Sequence, residues 1–270
     1  MLSNEYIEET RELRENLAKI KRKVIVMSGK GGVGKSTISA NLAGYMSIKG
    51  LETGLLDIDL HGPSIPRLLG LTGKTIENDG RFLIPLKYNE KLKVVSIGNL
   101  LESESSSVIW RGPRKHSMIR QFLKSVNWGA LDYLVVDSPP GTGDEQLSII
   151  QSVENFDGAV IVTTPQDIAL SDVKKSIDFC RQLKVPIIGI IENMSGFVCP
   201  KCRERIEIFK SGGGRDLAEK ENIPFLGFIS IDVNTPRKSD AGTLVVESLE
   251  STINAEEMSD IFSKIIRSME

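Results

Sequence analysis

The sequence has few of the residues that would send it outside the cell or into a membrane. Three cysteines, Cys180, Cys199 and Cys202, are all that 270 residues contain. That is too few for a disulfide framework, and a close pair in a reducing compartment points instead to a metal or redox site. No apolar run is long enough to span a bilayer. The opening Met1-Leu2-Ser3-Asn4-Glu5 lacks the basic start and apolar stretch of a secretory signal, so a cytoplasmic protein is expected. There is no excess of positive charge: 34 Lys and Arg stand against 36 Asp and Glu, net −2. Neither nucleic acid nor an anionic membrane is therefore expected as a partner. What remains, 40% apolar and 26% charged residues, is the make-up of a globular protein long enough to bury a real core.

Tyr6 to Arg22 reads as a helix dense in both signs of charge, a solvated arm over residues 1–22 ahead of one domain over 23–270. Short apolar runs follow at Val24–Met27, Thr53–Asp57, Tyr133–Asp137, Gly158–Thr163 and Pro186–Ile191. Each is bounded by turn residues and reads as a buried strand. Helical stretches lie between them at Ser36–Ile48, Arg114–Val126, Asp144–Val153 and Leu170–Leu183. Strands alternating with helices at this spacing indicate a three-layer α/β fold with a mostly parallel sheet. Lys74–Gly98, with Asn78-Asp79-Gly80 at its turn, reads as a β-hairpin insertion, and Ser103–Ser107 as a polar loop. The last helix carries Met258, Ile261, Phe262, Ile265, Ile266 and Met269 in one stripe. Its other face is acidic, so it is expected to pack on the core and not on a membrane.

The chemistry starts at Gly29-Lys30-Gly31-Gly32-Val33-Gly34-Lys35-Ser36-Thr37. Gly29, Gly31 and Gly34 fit the dinucleotide fingerprint G-x-G-x-x-G, and Asp57 ends the next strand where a ribose-binding acid would. The same segment also fits G-x-x-x-x-G-K-[ST], the more specific pattern. A dinucleotide loop has no use for Lys-Ser after its last glycine, whereas a triphosphate loop needs both. Loop and helix N–H groups wrap the phosphates, Lys35 offsets the β- and γ-oxygens, and the Ser36 hydroxyl ligates Mg²⁺. ATP is the expected ligand, with all nine loop residues around it. Asp137 ends a buried strand and can hold a Mg²⁺-bound water, and Gly141 lets the backbone approach the γ-phosphate. Asp57 ends the strand and Asp59 lies past it, so the two are expected to take different roles. Asp59, past the strand end, is placed to orient or deprotonate the attacking water, and Asp57 to support Mg²⁺ through water.

Lys30 makes the loop resemble the deviant phosphate loop of the ATPase class that contains MinD, ParA and the nitrogenase iron protein. That resemblance implies a dimer in which Lys30 reaches the partner's nucleotide. Asp57-Ile58-Asp59-Leu60-His61-Gly62-Pro63-Ser64-Ile65-Pro66 is similar to the first switch of the Mrp/ApbC family of iron–sulfur cluster carriers. Trp110-Arg111-Gly112-Pro113, Asp137 to Asp144, Thr163-Thr164-Pro165-Gln166, Glu192-Asn193-Met194-Ser195 and Cys199-Pro200-Lys201-Cys202 resemble the same family. The likeness runs from about Lys23 to Gly242. His61 stands where many members carry Tyr and is read as switch packing. No extra N-terminal cysteine cluster is present, so no second cluster is expected. By resemblance, Asn193 hydrogen-bonds the adenine edge.

Cys199 and Cys202 supply two thiolates, while a tetrahedral metal or a cubane cluster takes four. A two-fold dimer doubles the pair. The resemblance implies a bridging [4Fe–4S] cluster there, but zinc fits the same thiolates and a redox pair stays open. Cys180 reads as a packed helix residue, and His116 as part of a solvated helix face. The expected function is an ATP-hydrolysing homodimer that carries a cluster to recipient apo-proteins. The alternative is a positioning or partitioning ATPase of the MinD/ParA kind with a zinc-stapled dimer. It calls for a basic face or a lipid-binding tail, and the sequence has neither.

Overall fold

The computed structural model describes residues 4–60, 62–80, 82–100, 112–153, 155–199, 201–202, 204–248 and 252–270. His61, Trp110, Arg111, Pro200 and the polar stretch 103–107 lie outside the described residues, and with them the switch-packing reading of His61. In chain order the elements are α1 (Asn4–Leu17), β1 (Ile20–Ser28), α2 (Lys35–Ile48), β2 (Thr53–Asp57), α3 (Ile65–Leu68), β3 (Glu77–Asn78), β4 (Leu83–Ile84), β5 (Leu86–Lys87), β6 (Leu92–Ser96), α4 (Gly112–Ser125), β7 (Leu131–Asp137), α5 (Asp144–Val153), β8 (Gly158–Thr163), α6 (Asp167–Gln182), β9 (Ile187–Val198), β10 (Arg205–Ile206), α7 (Gly213–Lys220), β11 (Phe225–Ile231), α8 (Asn234–Asp240) and α9 (Ile253–Met269).

Among the described residues nine strands join in one sheet in the order β10-β9-β8-β1-β7-β2-β6-β5, with β11 also paired to β9. All pairings are parallel except β5 with β6 and β10 with β9. β1 is flanked by β7 and β8, so the crossovers diverge on either side of it, and its C-terminal edge is where an open α/β sheet builds a ligand site. The alternation of β1 shows why it is central. Val24 and Val26 pack with Leu42 and Met46 of α2 and Phe262 and Ile265 of α9. Ile25 and Met27 point the other way, onto Ile119 and Leu123 of α4 and Ile149 of α5. Burial on both faces demands an unbroken apolar run, the pattern of a parallel sheet covered by helices. A smaller cluster joins Ile161 and Ile190 to α6 and α7. The fold is the expected three-layer α/β P-loop architecture.

Two expectations need correction. Leu92–Ser96 does not belong to an insertion: as β6 it pairs in parallel with β2, from Thr53 opposite Leu92 to Asp57 opposite Ser96. The inserted ladder is only β3 with β4, joined through the Asn78–Gly80 turn in which Asn78 Oδ1 accepts the Gly80 N–H at 2.8 Å. The N-terminal helix ends at Leu17 and the chain enters β1 at Ile20, so a boundary at residue 22 falls inside a strand. Nor is its second half solvated. Leu13 and Leu17 are buried with α4, and the Asn16 amide donates to the Val126 carbonyl. The described charges Arg11, Arg14 and Glu15 lie on its exposed face. The α9 stripe packs as expected: Met258, Ile261, Phe262, Ile265 and Met269 are buried, with Ile266 against them. Among the described residues no helix is long and apolar enough to cross a membrane.

Candidate functional site

The loop between β1 and α2 takes its shape from its glycines. Gly32 and Gly34 have φ of 79° and 86°, a left-handed conformation that costs a side chain-bearing residue about 1 kcal/mol or more. Gly34 caps α2 with no side-chain hydrogen bond, which leaves the first N–H groups of the helix to a ligand. Gly29 answers a different demand. A Cβ there would lie 2.5 Å from the backbone of Asp172, so α6 packs directly on the loop.

Beside this loop lies a cleft of about 250 Å³ lined by Lys30, Gly31, Gly32, Gly34, Lys35, Ser36, Thr37 and Asp59, together with Ser28, Gly62, Ser64 and Pro140. The last four were not singled out from the sequence. Gly62, Ser64 and Pro140 lie within the segments Asp57–Pro66 and Asp137–Asp144, and Ser28 is the last residue of β1. Val33 is buried in the core. Gly141, with φ of 90°, donates its N–H to the Ser28 carbonyl at 2.9 Å, which ties the segment after β7 to the end of β1.

The acids divide by depth. Asp59 lines the cleft, its N–H bonded to Asp57 Oδ1 at 3.1 Å and its Oδ1 accepting the Gly62 N–H at 3.3 Å. Asp57 and Asp137 are opposite each other in the β2–β7 ladder and wholly buried. Asp137 Oδ1 accepts from Lys35 Nζ at 2.8 Å and from Ser39 Oγ at 2.7 Å. Asp137 Oδ2 is buried with no partner among the described residues. A buried acceptor left open costs about 1–3 kcal/mol, and it fits a carboxylate that accepts a hydrogen bond from metal-bound water. With the Ser36 hydroxyl in the cleft wall, these residues suit Mg²⁺.

Burial, and then the charge of Asp137, push the Asp57 carboxyl up to about 7, against the pull of Ser96, the Asp59 N–H and Lys35. A carboxyl with a raised folded pKa binds its proton more tightly in the fold. Its stabilisation is therefore present at low pH and lost as pH rises from about 4 to about 7. Asp57→Asn should flatten this limb. In EDTA, wild type should lose roughly 2–4 kcal/mol across that window relative to the variant in denaturant titrations. Identical pH slopes in the two proteins would refute the raised carboxyl.

β9 links the loop to the cysteines. The Asn193 amide donates to the Val33 carbonyl at 2.8 Å, so Asn193 touches the phosphate loop itself and does not line the phosphate cleft. Four residues further on, β9 reaches Phe197 and Val198. These help to line a second hollow of about 160 Å³ with Ile231, Val233, Ile253 and Asn254, where Asn254 Oδ1 is buried and unpartnered. β9 then turns into β10. Cys199 and Cys202 sit at that turn, the Cys199 N–H bonded to Glu204 O at 2.9 Å. Cys199 is half-buried and Cys202 exposed. The N–H groups of Cys202 and Lys201 hold the Cys199 thiol below its usual range, which favours the thiolate that soft metals bind. Cys180 is the opposite case: it is buried against Met27 and pushed up to about 12 by burial, so it is packing, as expected. Among the described residues no three His, Cys, Asp or Glu side chains group as a metal site. The thiol pair is half a ligand set within one chain.

The sequence motifs did not reveal the role of Glu192. It is wholly buried, and its carboxylate accepts from Ser195 Oγ at 2.6 Å, Gly212 N at 2.9 Å and Gly214 N at 2.5 Å. It thereby fixes the start of α7 to β9.

A glycine loop opening α2 at the end of a central parallel strand, with a buried Lys–Asp pair beneath it, defines a P-loop nucleotide-binding protein. A family model described as the NUBPL iron-transfer P-loop NTPase, ParA, matches residues 19–266, and the chain belongs to that family. It is 47% identical over 259 residues to an iron-sulfur cluster carrier protein of Methanocaldococcus jannaschii, covering 96% of this chain and 89% of the relative. It is 54% identical over 228 residues to a cytosolic Fe-S cluster assembly factor NUBP2 homolog of Dictyostelium discoideum, covering 83% and 86%. Among solved structures, a nucleotide-binding protein of Archaeoglobus fulgidus in complex with ADP superposes with a TM-score of 0.78 at 39% identity, covering 91% of this chain and 98% of that one.

Proposed function

We propose that this chain is an ATP-dependent carrier of iron–sulfur clusters in the cytoplasm. Two copies share a [4Fe–4S] cargo between their Cys199–Cys202 pairs and release it to recipient apo-proteins. The observation that carries this reading is the thiol pair at an exposed hairpin turn, which is half a ligand set, on a chain of an iron-transfer P-loop family. The near balance of charge speaks against nucleic acid or membrane as a partner.

In this reading the loop N–H groups and the start of α2 hold the phosphates of ATP. Lys35 leaves Asp137 for the β- and γ-oxygens, and Lys30 extends to the nucleotide of the second copy. Ser36, and through water Asp137 and Asp57, would hold Mg²⁺, which would offset charge on the phosphate oxygens. Asp59 takes a proton from the water that attacks the γ-phosphorus; the bond to the bridging oxygen breaks and ADP leaves. Fixed charge aimed at the transferred group is the main source of rate in such a step. Asn193 contacts the adenine edge. The hollow further along β9 mixes Phe197, Val198, Ile231, Val233 and Ile253 with the polar Ser230, Asp232, Asn234, Thr252 and Asn254, a composition that suits a purine face and its exocyclic amine.

Anaerobic reconstitution with iron and sulfide tests the reading. About four irons per dimer should bind, giving a brown protein that bleaches in air. Uptake of zinc alone, with no iron–sulfur absorption under strict anaerobiosis, would overturn it in favour of the zinc-stapled positioning ATPase.

A further inference from the structure

Asp137 is gripped through one oxygen only. Its Oδ1 takes Lys35 Nζ at 2.8 Å and Ser39 Oγ at 2.7 Å, while its Oδ2 has no partner among the described residues. The two donors differ in what they can do next. Lys35 Nζ also lies 3.4 Å from Ser36 Oγ, so one cation rests on both Asp137 and the hydroxyl assigned to Mg²⁺. In the nucleotide reading Lys35 leaves them for the phosphates. Ser39 has nowhere to go. It sits on the second turn of α2, one turn beyond Lys35, and is wholly buried. Its hydroxyl also lies 3.0 Å from Lys35 O. It has a single proton to give, and the carboxylate is the nearer and stronger acceptor.

We propose that Ser39 is a positioning residue for Asp137: its hydroxyl keeps Oδ1 anchored after Lys35 has moved to the phosphates, so that Oδ2 stays turned toward the water on Mg²⁺. The inference rests on the nucleotide reading for the movement of Lys35. The geometry that demands an anchor stands on the chain itself. The backbone of Asp137 is fixed from both sides, opposite Val26 of β1 and Asp57 of β2. What the sheet leaves unset is the last torsion of the side chain, which is broad and roughly two-fold for a carboxylate. Lys35 and Ser39 are the donors that set it among the described residues. Once Lys35 is drawn off, only the serine on the helix remains to hold Oδ1. A serine that merely bonded back to Lys35 O, as helix serines often do, would leave Asp137 indifferent to its loss.

The test is calorimetric titration of the full chain with the nonhydrolysable analogue AMPPNP, once in EDTA and once in excess Mg²⁺. The ratio of the two affinities is the readout. Ser39 does not line the phosphate cleft. Ser39→Ala should therefore stay within about twofold of wild type in EDTA, while the gain on adding Mg²⁺ falls about tenfold, the worth of one hydrogen bond to a charged group. Ser39→Thr keeps the hydroxyl and should restore the gain. Thermal midpoints in EDTA report folding in both variants. A wild-type gain in Ser39→Ala would overturn the proposal. So would an equal loss with and without Mg²⁺, which marks packing alone, and so would a Ser39→Thr as deficient as Ser39→Ala. A wild type whose affinity ignores Mg²⁺ would fail earlier, removing the metal reading and the proposal with it.

Discussion

Lys35→Ala should lower MgATP affinity on the order of 10²–10³-fold and bring turnover to background, because the phosphates lose a cation buried at the base of the loop. The substitution also harms the fold. Asp137 is wholly buried and takes its charge-assisted bond from Lys35, and stripping one partner from a buried pair costs roughly 3–5 kcal/mol. A failed nucleotide assay on Lys35→Ala alone could therefore report unfolding. The double variant Lys35→Ala, Asp137→Asn removes the stranded charge and should recover most of the stability while nucleotide binding stays lost. Calorimetric titration with MgATP, read beside the thermal midpoint, separates the two effects. Full affinity in either variant would sink the phosphate-loop assignment.

Cys199→Ala and Cys202→Ala should each abolish cluster retention, from about four irons per dimer to none. Each change removes two thiolates from the pair of chains at once, and a cubane cannot be held by the two that remain. Cys180→Ala should keep the full complement, because that thiol is sealed in the core beside Met27; its cost is in packing and stability. MgATP affinity should survive the two surface changes, since neither cysteine lines the phosphate cleft. Iron and sulfide analysis after anaerobic desalting decides the matter, and a cluster retained without both Cys199 and Cys202 would refute the carrier reading.

The parts of this fold readable in the sequence are those whose signal is local. β2, α5 and β8 have the expected limits because an apolar run or an amphipathic stretch meets a turn residue at each end. The phosphate loop is readable because its glycines and Lys35-Ser36 are consecutive. What escaped depends on distant partners. Leu92–Ser96 resembles a hairpin arm until β2 is set beside it, and α1 resembles a solvated arm until α4 covers Leu13 and Leu17. The same holds within the site. Asp59 and Asp137 stand out as strand-terminal acids, but the grip of Lys35 and Ser39 on Asp137 joins residues about a hundred positions apart. The burial that raises Asp57 comes from strands on either side of it, and no pattern within its own segment records it.

Glu192 bears on how the cysteine hairpin is held. Its carboxylate clasps Gly212, 20 residues away, and Gly214 beyond it. The cysteine hairpin is thus an excursion whose two ends are already tied at the base. Closing a loop of that length from a slack chain costs roughly 2–3 kcal/mol of entropy. Here the cost is met when the protein folds and not when the cargo arrives. On the proposed carrier reading, the thiols at the tip exchange their cargo while the base of the hairpin stays closed.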